Sequence, residues 1–292
     1  MALDIQPVEG ATFGAFIRGV KVTALDDATF KEIYNAWLKY ALVIFPDQFL
    51  TNDEQIAFGK RFGPLEFEMA RTSNLKPDGT LLTVDQDKDH LSVIEATHAW
   101  HADSTYKPVQ AKGAVFSAEI VPEGGSQTGF ADMRAAYDAL SPAMRERVEN
   151  LNAYHSFYQS QAKHGRALST TAAAELRKIG DDTFTGKDQD QPPLRPLVKI
   201  HPETGRKSLL IGYHVVGLTG LSEQESDKLV HELMDFACQE PRTYHHNWTP
   251  GDVVVWDNRC LLHRSRPWDL SLPRLMWHTR LAGDPVTEAA LA

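Results

Sequence analysis

His98-Ala-Trp-His101-Ala-Asp103-Ser-Thr-Tyr106 and, about half the chain later, Trp256-Asp-Asn-Arg-Cys-Leu-Leu-His263 are the stretches around which this sequence is organised. In extended backbone, side chains alternate between faces, so His101 and Asp103 are expected to point the same way. An imidazole and a carboxylate side by side, joined by His263, would put three ligands on one face of a metal and leave the other face open. That arrangement suits a non-haem Fe(II) centre that binds a co-substrate and O2. The His-x-Asp pair alone reads more simply as a loop histidine bonded to a neighbouring aspartate, since the chain has 12 histidines. The rest of the pattern has to decide.

Outward from these stretches the chain is a run of short apolar segments punctuated by turns. Residues 3–23 read as strands broken by Gly10, Gly14 and Gly19, and residues 41–45 as a buried strand. Further strands are expected at 81–84, 113–121, 127–131, 243–248, 253–256, 260–263 and 275–281, with 195–200 and 207–212 joined as a hairpin. Asp26-Asp27 caps a helix to about Leu38, with Phe30, Ile33, Tyr34 and Trp37 on its apolar face. Thr51 and Glu54 form a capping box for a second helix, Ser141-Pro142 starts a short one, and 222–239 is a clear amphipathic helix. Residues 66–100 are less regular. The polar run Asp85, Asp87, Lys88, Asp89 and His90 fits a surface loop, and 85–97 a substrate lid or an ordinary solvated loop. Residues 160–193 read as a polar insertion with a helical piece at 172–178. Many short strands with close turns predict a mainly β protein with decorating helices, a jelly-roll or cupin-like barrel, as a single domain over 1–292.

Composition narrows the function. The formal net charge of −9 argues against general affinity for nucleic acid or anionic membranes, while leaving room for a local basic pocket that takes a small anion. With only Cys238 and Cys260, neither a disulfide framework nor a four-cysteine zinc site can form. The start, Met-Ala-Leu-Asp-Ile-Gln-Pro, is not a secretory signal, and no apolar run approaches a membrane span. A reducing cytoplasm is expected, and it suits a labile ferrous site.

The strand at 275–281 adds a second clue. Arg274, Met276, His278 and Arg280 alternate and so share a face, and Met276 marks that face as interior. A buried arginine needs a partner. For Arg274 this is either a small-molecule carboxylate, which a guanidinium grips bidentately, or one of the chain's 39 acidic residues. Both remain open at this point. His155 and His164 have no partner at metal-ligand spacing and read as structural or exposed, and the adjacent pair His245 and His246 would face opposite ways on a strand and reads as structural.

In order and spacing, four features resemble the taurine/2-oxoglutarate dioxygenase family over nearly the whole chain. They are His101-x-Asp103, Thr128 within Gly124-Gly-Ser-Gln-Thr-Gly-Phe130, the Trp256–His263 stretch, and Arg274 eleven residues after it. Within that family, Ala99–Tyr106, Arg195–Arg206 and Met276–Gly283 are similar to the (S)-selective aryloxyalkanoate (phenoxypropionate herbicide) dioxygenases. The resemblance implies a double-stranded β-helix and Fe(II) held by His101, Asp103 and His263. It also implies 2-oxoglutarate as co-substrate, its far carboxylate meeting Arg274, with Thr128 adding a hydrogen bond and Trp248 lining the site. The implied reaction consumes O2, releases CO2 and succinate, and hydroxylates the carbon next to the ether oxygen of an aryloxyalkanoate, which collapses to a phenol and a 2-oxo acid. Asp103 speaks against a halogenase, which needs a small residue there.

Ser104, His98, Tyr213, His214, His278 and Arg280 are the candidate contacts for an anionic small-molecule substrate. Three departures put the substrate in question. His278 stands where many members carry an arginine for the substrate anion, so either protonated His278 or Arg280 would have to take that role. Tyr213 replaces a basic residue, and Thr97 an asparagine. One alternative is the same chemistry on a sulfonate, alkyl sulfate or other small acid. Another is a non-catalytic cupin-like binding protein. A homo-oligomer is expected.

Overall fold

The alternating segments become strands in a computed structural model of the chain, which describes residues 3–83, 85–163, 165 and 191–291. One sheet has seven strands, in the order β1 (Asp4–Pro7), β2 (Ala15–Arg18), β3 (Leu42–Phe45), β13 (Val253–Asp257), β5 (Gly113–Ile120), β15 (Leu275–Leu281) and β4 (Leu65–Ser73). A smaller sheet has the order β12 (Thr243–His246), β6 (Thr128–Asp132), β14 (Leu261–Ser265). Pairing is antiparallel except between β2 and β3. The late strands β13 and β15 insert between early ones, so residues far apart in sequence become neighbours.

Period-2 alternation decides what each face does. Val254 and Trp256 of β13 pack inward with Phe116 of β5, Phe130 of β6, Leu261 of β14 and Met276 of β15, filling the space between the two sheets. Val253 and Val255 face the other way, under α1 (Asp27–Tyr40) and α2 (Asn52–Lys60), against Ile33, Trp37 and Phe58. Two face-to-face sheets with crossed connections are a jelly roll, the double-stranded β-helix. Among the described residues no ladder joins the sheets at their edges, so the expected barrel is an open two-sheet sandwich.

The remaining elements flank this core. A three-stranded sheet, β11 (Val215–Leu218), β7 (Asn152–His155), β8 (Leu194–Pro196), packs with α4 (Met133–Ala139) and α7 (Glu223–Ala237). The expected hairpin is β9 (Val198–Ile200) with β10 (Lys207–Leu209). The segment before it is split. The Leu197 N–H turns to the Leu151 carbonyl, and β8 joins a different sheet from β9. The capping signals act as read: Asp26 accepts from Thr29 N–H, and Thr51–Glu54 and Ser222–Glu225 form capping boxes. Ser141 caps α5 (Pro142–Val148), and α6 (Phe157–Lys163) follows β7.

Four expectations need correction or fall out of view. Residues 88–96 form a helix, α3 (Lys88–Ala96), and not a loop, because Leu91 and Ile94 at i, i+3 are both buried. The strand at 81–84 is reduced to a single bridge between Leu81 and Leu75, with Val84 outside the described residues. The helical piece at 172–178 and His164 also lie outside them. Neither β4 nor α4 was anticipated.

Candidate active site

The two motif stretches are hydrogen-bonded to each other at the histidines themselves. His101 N–H donates to the His263 carbonyl at 3.0 Å and His263 N–H to the His101 carbonyl at 2.8 Å, an antiparallel bridge outside the named strands. Directly opposed residues in such a pair project to the same side, and the two rings stand 4.2 Å apart. Asp103 joins them by a turn and not by strand alternation: residues 103–106 curl, with Ser104 at φ 57°. Asn258 holds that turn. It accepts from Asp103 N–H at 2.7 Å and donates to the carbonyls of Asp103 and Ala111 at 2.9 and 3.0 Å. Asp257, next to it, is gripped by Arg259 at 2.8 and 2.7 Å and lies 3.0 Å from His201 Nε2, which fixes the backbone that launches β14.

His101, Asp103 and His263 offer ligand atoms that lie within 4.8 Å of one another. His101 Nδ1 bonds to the Ala99 carbonyl at 2.8 Å, which leaves the lone pair on Nε2, 4.0 Å from Asp103 Oδ1. His263 Nε2 lies 3.7 Å from Asp103 Oδ2. Burial alone would raise the Asp103 carboxyl, but Arg280 and then His263 outweigh it and hold it far below the usual carboxylate range. Burial pushes both His101 and His263 down, so they are neutral and able to donate lone pairs. Asp103 Oδ2 and His263 Nδ1 are buried without hydrogen-bond partners among the described residues. A bare buried carboxylate oxygen is costly, and two imidazoles with one carboxylate are a donor set that fits Fe(II). His201, Asp257 and Cys260 also lie close together. There the carboxylate is already satisfied by Arg259 and His201, so that cluster is structural.

The three residues open into a cavity of about 300 Å³ that Arg274 and Thr128 also line. Arg274 is 2% exposed and sits over the Trp268 ring at 5.0 Å. It makes no ion pair among the described residues, its Nε has no partner, and burial pushes it down to about 10. The internal salt bridge left open by the sequence is therefore absent from the described residues, and a buried cation without a protein anion fits a ligand carboxylate. Trp248 does not line the cavity. Its indole N–H donates to Thr128 Oγ1 at 2.9 Å, so the Thr128 hydroxyl proton is left to donate elsewhere.

The other candidates separate clearly. Tyr213, His214, His278 and Arg280 line the cavity, whereas His98 and Ser104 do not. His98 packs near Trp268, and Ser104 is buried with its hydroxyl donated to Glu66 at 2.9 Å. Arg280 is committed within the protein: Nη2 donates to Asp103 Oδ1 at 2.8 Å and Nη1 lies 3.7 Å from Glu66. His278 sits among Phe67, Phe116 and Trp256, pushed down to about 3 by burial and then by Arg280. It is neutral, so anion binding by a protonated His278 does not fit its surroundings. Tyr106, Phe157 and Gln161 line the cavity too, and nothing in their local sequence pattern marks them.

This fold with this pair of sites defines a small-molecule oxygenase class, and comparison with known proteins agrees. The chain belongs to the taurine catabolism dioxygenase TauD, TfdA family, whose profile matches residues 4–280. It is 57% identical to an (S)-phenoxypropionate/alpha-ketoglutarate-dioxygenase of Sphingobium herbicidovorans, covering 100% of this chain and 99% of the relative. It is 52% identical to a protein of the same name from Delftia acidovorans, covering 99% of this chain and 98% of that one. A crystal structure of AAD-2 in complex with Mn(II) and N-oxalylglycine superposes with a TM-score of 0.85 at 32% identity, covering 100% of both chains.

Proposed function

We propose that this dioxygenase hydroxylates the carbon beside the ether oxygen of an aryloxyalkanoate, with O2 and 2-oxoglutarate consumed and a phenol, a 2-oxo acid, succinate and CO2 released. The observation that carries this reading is Arg274, buried without a protein anion among the described residues and lining the same cavity as Thr128 and the His101, Asp103 and His263 cluster. The enzyme uses Fe(II), 2-oxoglutarate and O2. Bound iron would activate O2, which is the oxidant, with 2-oxoglutarate giving up two electrons as it becomes succinate and CO2, and the chain supplies position and environment.

In this reading His101, Asp103 and His263 hold the metal, and Arg274 and Thr128 hold the far carboxylate of 2-oxoglutarate. Arg280 holds Asp103 Oδ1, so that Oδ2 is the oxygen presented. Phe67, Tyr106, Phe116, Phe157 and Tyr213 give the cavity aromatic walls, which suit an aryl ring and keep water from the reacting carbon. The match to relatives that act on phenoxypropionate supports the same substrate class.

The catalytic unit is read as one domain over 1–292, supported by the first and last strands sharing one sheet. Among the described residues no helix is long and apolar enough to cross a membrane. Two unpaired thiols, Cys238 and Cys260, support a reducing cytoplasm. Assembly as a homo-oligomer completes the proposal, to be read by sedimentation.

The test is product analysis. With Fe(II), 2-oxoglutarate and air, 2-phenoxypropionate should give phenol and pyruvate in step with succinate. No phenol from any phenoxyalkanoate, with succinate formed instead from a sulfonate or alkyl sulfate, would overturn the substrate assignment.

A further inference from the structure

We propose that Gln161 receives the carboxylate of the organic substrate, through the N–H groups of its side-chain amide, with Tyr213 as the residue that orients that amide. This rests on the function proposed above. An acid in this cavity needs donors, and the arginines and His214 that line it have other commitments. Arg274 is taken by the co-substrate in that reading. Arg280 is bonded to Asp103 and Ser104. Arg71 donates to the carbonyls of Leu75 and Lys76. His214 is occupied at Nδ1 by the Ser160 hydroxyl at 3.2 Å.

Gln161 is different. It lies on α6, is 3% exposed, and lines the cavity. The Tyr213 hydroxyl donates to its Oε1 at 3.2 Å, and among the described residues its Nε2 has no hydrogen-bond partner. The amide nitrogen of this largely buried side chain has two donors without a protein acceptor among the described residues, and a ligand carboxylate would supply one. Phe157 is four residues earlier on the same helix, so it shares Gln161's face and also lines the cavity. Its ring is 5.1 Å from Tyr106. One helix face thus presents an aromatic wall and an amide donor together, the two features an aryloxy acid needs.

The experiment measures KM for 2-phenoxypropionate and for its primary amide, and the affinity for 2-oxoglutarate, in wild type, Gln161→Leu, Gln161→Glu and Arg71→Leu. Gln161→Leu should raise KM for the acid about tenfold to a hundredfold, the usual range for losing a hydrogen bond to a charged group. Its preference for acid over amide should shrink, with 2-oxoglutarate affinity unchanged as the folding control. Gln161→Glu should reverse the preference, a reversal that the loss of charge in Arg71→Leu should not produce. If both Gln161 variants keep the wild-type preference, or Arg71→Leu alone abolishes it, the inference is wrong while the proposed function stands. A wild type that turns over no phenoxyalkanoate overturns both.

Discussion

At the residue scale, the site divides into groups visible in the sequence and groups that only the fold reveals. The gathering of His101, Asp103, His263, Thr128 and Arg274 around one cavity was legible because such residues stand in a fixed order and spacing. Asn258, Arg280 and Gln161 were not, because their roles depend on contacts 155, 177 and 52 residues away in sequence. Three expected outcomes belong here. His101→Ala should abolish turnover and leave the circular dichroism spectrum and melting temperature close to wild type, since it removes a ligand without opening the core. A variant at full rate would end the iron assignment. Arg274→Ala should raise the KM for 2-oxoglutarate far more than that for the organic substrate, by about tenfold to a hundredfold for a charge-assisted pair. Equal effects on both would show that Arg274 serves the fold alone. Arg280→Gln should weaken Fe(II) or Mn(II) binding, read by titration, by about 10–100-fold, with partial recovery in Arg280→Lys. Unchanged metal affinity would mean that the Arg280–Asp103 bond does not position the ligand.

At the element scale, caps and alternation carried most of the reading. α1, α2, α5 and α7 begin where their capping residues stand, and β5, β6, β13, β14 and β15 fall on apolar runs. The misses have physical causes. β4 carries Glu66, Glu68 and Arg71, a charge pattern that reads as loop until its pairing with β15 is seen. α3 is polar on its outer face, and only burial of Leu91 and Ile94 shows that it is ordered against the cavity. β7 supports a pH prediction. His155 is buried there with neither ring nitrogen partnered among the described residues, and burial, then Arg195, push it from the ordinary 6.5 down to about 3. Between those values the unfolded chain binds a proton that the folded chain refuses. The stability associated with neutral His155 is complete above pH 6.5 and is lost as pH falls toward 3. The limiting slope is about 1.4 kcal/mol per pH unit. His155→Leu should flatten the pH dependence of urea unfolding in that window by about one proton. An unchanged slope would show that His155 is already protonated or solvated in the folded protein.

At the scale of the whole molecule, the jelly roll turns distant sequence into one cavity. Strands β6 and β14 deliver Thr128 and His263, the residue just before β15 is Arg274, and the turn after the His101 bridge delivers Asp103. The class of fold was readable because strands at short, regular spacing leave few ways to bury their faces. The open edges and the flanking sheet of β11, β7 and β8 were not, since sheet membership depends on pairing partners that alternation does not specify. The central claim is that one cavity binds iron at His101, Asp103 and His263 and 2-oxoglutarate at Arg274. Anaerobic addition of Fe(II) and 2-oxoglutarate, followed by visible absorption, tests it most directly. The account predicts a weak metal-to-ligand band in wild type that shifts on adding 2-phenoxypropionate and is missing in His101→Ala. Folded, metal-loaded wild-type protein that develops no band with 2-oxoglutarate would contradict it.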